Sequence, residues 1–117
     1  MKRGKRMNEN ELLERINVLE YHQRLLLKML NDPSLELYKL IIENGITEHE
    51  VRQFYLICDE MNIKLEEQKA EGYVYFHPLF HELSSSLPPT LKIEDVIYAC
   101  LKQKICLPLF QELEKYL

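Results

Sequence analysis

Apolar residues recur at helical spacing through most of the chain, interrupted by Pro33, Gly45, Gly72, Pro78, Pro88-Pro89 and Pro108. This rhythm predicts an all-α, multi-helical bundle, a single domain over residues 8–117 with a long first helix and a long third. The first helix is expected to run from Asn8 or Asn10, either of which can cap it, to about Leu30. Glu9, Glu11 and Glu14 set negative charge near its positive N-terminal end. Along it Leu12, Ile16, Leu19, Gln23, Leu26 and Leu30 form a heptad seam with one polar member. Leu13 and Leu27 fall beside the seam, and Val18 and Leu25 lie farther round. The apolar surface is thus wider than a two-stranded coil needs. A helix with two apolar flanks packs on two neighbours, and one of them is expected to be another chain. The six seam residues are the candidate self-association site.

Asp32-Pro33 reads as N-cap and first residue of the second helix, since proline lacks only an N–H that would be unpaired there. This helix should end near Asn44, with Gly45 supplying a left-handed C-terminal turn. Thr47-Glu48-His49-Glu50 spells a capping box, and Ile46 and Val51 complete a hydrophobic staple around it. The third helix then continues to about Glu71, with Val51, Phe54, Cys58, Met61 and Leu65 on one buried stripe. Tyr73-Val74-Tyr75-Phe76 has no partner strand and reads as an extended connector entering the core. A short helix from Pro78 to about Ser85, a Pro-Pro break, and helices near Ile93–Gln103 and Pro108–Tyr116 complete the chain.

Composition narrows the class. The chain has 117 residues, 46% hydrophobic and 29% charged, with only 3 glycines. That excludes a disordered tail, a collagen-like repeat and a disulfide scaffold. The longest apolar run, Val96 to Leu101, spans six residues, too short for a transmembrane helix. No apolar segment of signal-peptide type follows the charged start, so a cytoplasmic location is expected. Charge is uneven: residues 1–6 carry Lys2, Arg3, Lys5 and Arg6, whereas the remainder holds 11 basic and 19 acidic side chains. Residues 1–7 are expected to be a flexible basic N-terminus, which a start at Met7 would remove. The acidic remainder discourages binding to a phosphate backbone.

Each candidate chemistry meets an obstacle. Cys58, Cys100 and Cys106 are odd in number, lack a C-x-x-C pattern and sit among apolar residues, as packed thiols do. His77 and His81 stand four apart, a metal-ligand spacing, but His77 precedes Pro78, which pushes it away from helical geometry. Residues 67–78 imitate a calcium loop, with Gly72 at the turn and Val74 at the apolar position. Lys69 stands where the third-position oxygen ligand belongs, however, and Pro78 replaces the bidentate glutamate. Leu40, Gly45, Ile46, Val51 and Phe54 match a helix-turn-helix spacing. The face that would enter a groove offers Glu48 and Glu50 against Arg52, the wrong sign for DNA. Asp59-Glu60 and Glu66-Glu67 are adjacent on a helix and point apart. Ser84-Ser85-Ser86 reads as a loop, and there is no nucleophile elbow or phosphate loop.

Ile57-Cys58-Asp59-Glu60, Gln68-Lys69-Ala70 and Gly72-Tyr73-Val74-Tyr75-Phe76, with Leu19-Glu20-Tyr21 upstream, resemble the YhaI-like family of small proteins from spore-forming Gram-positive bacteria. The likeness runs from about Leu12 to the C-terminus, and the basic tip departs from it. The resemblance implies an all-helical fold, unknown function and no catalytic residues to carry over. The expectation is therefore a non-enzymatic, self-associating helical protein without a cofactor, acting on an unidentified protein partner. A DNA-binding regulator of helix-turn-helix type is the alternative, and a small enzyme the third.

Overall fold

A computed structural model describes residues 8–117, so the basic segment and the Met7 start lie outside the described residues. Six α-helices follow one another with no strand among the described residues. They are α1 (Glu9–Asn31), α2 (Glu36–Glu43), α3 (Glu48–Ala70), α4 (His77–Ser86), α5 (Ile93–Gln103) and α6 (Leu107–Leu113), closed by a 3₁₀ turn at Glu114–Tyr116.

Local signals set most boundaries. Asn8 Oδ1 accepts from the Glu11 N–H at 2.8 Å, which selects Asn8 over Asn10 as the cap of α1. The α3 capping box closes in both directions: Glu50 N–H donates to Thr47 Oγ1 at 3.1 Å, and Thr47 N–H to Glu50 Oε1 at 3.0 Å. Ile46 and Val51, the staple, are both buried. Gly45 (φ +62°) and Gly72 (φ +93°) adopt the left-handed conformation that ends α2 and α3.

Four expectations need correction. Asp32-Pro33 does not open α2. Asp32 instead ends α1 and folds an Asx turn, its Oδ1 accepting from Ser34 N–H at 3.0 Å and Ser34 Oγ at 2.6 Å. The α2 helix begins at Glu36 without a local side-chain cap. Its Leu37 and Tyr38 N–H groups donate to Gln103 Oε1 of α5, at 2.9 and 3.3 Å. Of the aromatic connector only Phe76 enters the core, while Tyr73, Val74 and Tyr75 stay exposed. Pro78 does not exclude His77 from α4, because proline at the second helical position still needs no N–H partner. Finally, Ser84–Ser86 is helical rather than a loop, and Ser86 Oγ donates back to the Leu83 carbonyl at 2.7 Å.

The core lies in the body formed by α2 to α6. There α2 lies chiefly against α5 and α1, while α3 packs on α4 and α6. Cys58, Leu83, Val96, Ile97, Cys100, Leu109, Phe110 and Leu113 are fully buried within it. Phe54 stacks on Phe110 with ring centroids 6.4 Å apart. The C-terminus closes the far end: Tyr116 Oη accepts the Phe76 N–H at 2.7 Å. Glu112, buried on α6, is held between Lys69 at 3.5 Å and Lys115 at 3.1 Å.

The protein is nonetheless elongated, measuring 59 × 32 × 24 Å. Its radius of gyration is 16.9 Å, where a compact chain of this length has ~13 Å. The cause is α1, about 34 Å long at 1.5 Å per residue. None of its residues before Tyr21 is buried, and Glu14 to Leu19 border only an open groove against the α2–α3 turn.

Candidate functional site

The α1 helix presents three faces. One rests on the body through buried Tyr21, His22 and Leu25, with Val18 and Met29 half-buried beside them. Asn17, Arg24 and Lys28 form a polar face. The third face, roughly 120° round from the buried one at 3.6 residues per turn, carries Leu12, Ile16, Leu19, Gln23, Leu26 and Leu30. The five apolar members of this seam are 46–80% exposed, and Gln23 is exposed among them. Leu13 and Leu27 extend it at 57% and 60%. The structure thus brings all six sequence-derived residues together on one side of one helix and leaves each of them exposed.

Directional contacts fix how this face is presented. His22 Nε2 lies 2.8 Å from the Ile46 carbonyl oxygen; a carbonyl only accepts, so Nε2 carries the proton and donates. Arg24 pairs with Glu48 Oε2 at 3.2 Å and lies over the Tyr21 ring at 5.7 Å from its centroid. Lys28 lies over Tyr38 at 5.7 Å. These links tie the C-terminal half of α1 to α2 and to the start of α3, orienting the seam outward. The sequence reading missed His22 and Gln103. An isolated histidine beside Tyr21 and a lone glutamine at a helix end carry no pattern, since each is defined by a partner far along the chain.

The other candidates resolve into structural roles. The His77 ring lies against Tyr75 at 5.9 Å and Tyr116 at 5.6 Å, within an aromatic cluster that includes Phe80, whereas His81 is exposed. Among the described residues no group of three histidine, cysteine or acidic side chains is gathered for a metal. In the calcium-like segment Lys69 lies over the Phe76 ring at 5.9 Å and pairs with Glu112, while Val74 is exposed. Cys58 and Cys100 are fully buried, and burial pushes both thiols far above the usual range; half-buried Cys106 is raised for the same reason. Burial likewise raises the Tyr55 hydroxyl. Asp59, Glu60, Glu66 and Glu67 all face solvent.

The α2–α3 turn keeps the spacing of a helix-turn-helix, but the main contacts of α2 lie elsewhere. In such a unit the two helices lock on each other, whereas α2 here lies chiefly on α5 and α1. The first turn of α3 is engaged by Arg24 of α1. A groove of about 790 Å³ beside it is lined by both signs of charge, including Glu14, Arg15, Glu48 and Arg52. An apolar cavity between α2, α3 and α5, about 20 Å³, admits at most a water. No helix among the described residues is long and apolar enough to cross a membrane.

Residues 9–117 match the family described as "Protein of unknown function (DUF1878)", and the chain belongs to that family. The match spans all six helices.

Proposed function

We propose that this is a non-enzymatic cytoplasmic protein that self-associates through α1 and acts by protein–protein interaction, one of the YhaI-like proteins of spore-forming Gram-positive bacteria that its motifs resemble. One observation carries the reading: the leucine seam of α1 faces solvent along its whole length while the body is already packed. In proteins most helical stability comes from covering an apolar face rather than from intrinsic propensity. A contiguous exposed apolar stripe on a single chain marks an interaction surface. The seam's heptad spacing specifies a helical partner. Sedimentation equilibrium tests the reading on the unaltered protein. At tens of micromolar the expected mass exceeds the 14.1 kDa of one chain; a mass of 14.1 kDa ends it.

A further inference from the structure

The geometry points to a second copy of this chain as the occupant of the α1 seam, paired parallel and in register with Gln23 against Gln23. This rests on the self-association reading and gives it an orientation. In heptad terms Leu12, Leu19 and Leu26 occupy d positions, and Ile16, Gln23 and Leu30 occupy a positions. The flanking g positions are Arg15, His22 and Met29; the flanking e positions are Leu13, Glu20 and Leu27.

The body breaks the symmetry between these flanks. His22 is buried and Met29 half-buried against the protein's own body, so the g side is walled. Leu13, Glu20 and Leu27 are all exposed, so the e side is open. In an antiparallel pair g faces g and e faces e. Two bodies would then crowd the same side of the coil, and the two Glu20 carboxylates would meet near its centre. In a parallel pair each g row faces the other copy's e row, so the bodies fall on opposite sides. Arg15 of one copy then meets Glu20 of the other, twice by symmetry, a charge complement of the kind that sets orientation in coiled coils. Gln23 meets its own copy, where each side-chain amide can donate to and accept from the other. Leucine fills every d position, and Ile16 is the one β-branched a residue, the combination that favours two strands where it occurs.

The test uses the full chain with Cys106→Ala, leaving only the two fully buried native thiols. Single variants Gln23→Cys, Leu12→Cys and Leu30→Cys are oxidised gently, and disulfide-linked peptides are identified by mass spectrometry. Parallel, in-register pairing yields a Gln23→Cys covalent dimer, and an equimolar mixture of Leu12→Cys and Leu30→Cys yields 12–12 and 30–30 links. A mixture linked mainly 12–30 overturns the orientation while leaving self-association intact. Sedimentation equilibrium separates the two levels: a monomer overturns both, and a trimeric mass overturns the two-copy arrangement alone. Charge exchange gives a second readout. Arg15→Glu should weaken the dimer several-fold, and Arg15→Glu with Glu20→Arg should restore it; failure of the double variant to restore it overturns the Arg15–Glu20 pairing.

Discussion

The α1 and α5 helices are both rich in apolar residues, yet the chain treats them in opposite ways. Four of the eleven residues of α5, Val96, Ile97, Ala99 and Cys100, are buried, and Tyr98 faces out. Only three of the twenty-three residues of α1 are buried, and a longer leucine stripe is left in solvent. The difference lies in neighbours rather than composition. The α5 helix packs against both α2 and α6, whereas α1 buries only Tyr21, His22 and Leu25 against the body. An amphipathic pattern fixes which positions seek cover; the supply of elements on that side decides whether the same chain provides it.

The largest effects should separate the two regions. Phe110→Ala in the body removes a fully buried ring stacked on Phe54 and should cost about 3–5 kcal/mol in denaturant unfolding. Leu19→Glu combined with Leu26→Glu should keep the helical circular dichroism and the body's transition while reducing the assembled mass to that of one chain. A comparable loss of fold in both variants would erase the contrast. Within the body, Cys58→Ser places a hydroxyl where nothing is exposed and should cost roughly 1–3 kcal/mol. Cys106→Ser, half-buried at the start of α6, should cost clearly less. Thiol labelling of the native protein checks the same ordering, since Cys106 should react well before Cys58 and Cys100.

Smaller effects compare a cap from nearby with one from far away. Gln103→Ala leaves the Leu37 and Tyr38 N–H groups without their acceptor and should cost about 1–2 kcal/mol. Thr47→Ala removes a local acceptor and should cost about 1 kcal/mol. Melts in which Gln103→Ala is neutral would mean that α2 holds its first turn unaided. The smallest change should be a gain. Lys104 ends α5 at φ +62°, where a side chain is strained and glycine is not. Lys104→Gly should stabilise the protein by about 0.5–1 kcal/mol, and a loss in thermal unfolding would count against that account.

What the sequence determined was local. Thr47 and Glu50 stand three apart and close a box wherever the helix starts; Gly45 and Gly72 end α2 and α3 because their backbones reach the left-handed conformation; the 3.6-residue rhythm needs only adjacent turns. The seam from Leu12 to Leu30 was legible for the same reason, as spacing on one helix. What only the tertiary structure decided involved partners distant along the chain. Asp32 reads as the cap of α2, but the Leu37 and Tyr38 N–H groups in the first turn of that helix are satisfied by Gln103, more than sixty residues away, leaving Asp32 to turn the chain at Ser34. The exposure of the seam is of the same kind. Spacing gathers six side chains on one face, but whether that face is covered depends on where α2 to α6 come to rest, and they come to rest on the other side. A capping pair is a relation between neighbours in sequence, and burial a relation between neighbours in space; a single chain read in order states only the first.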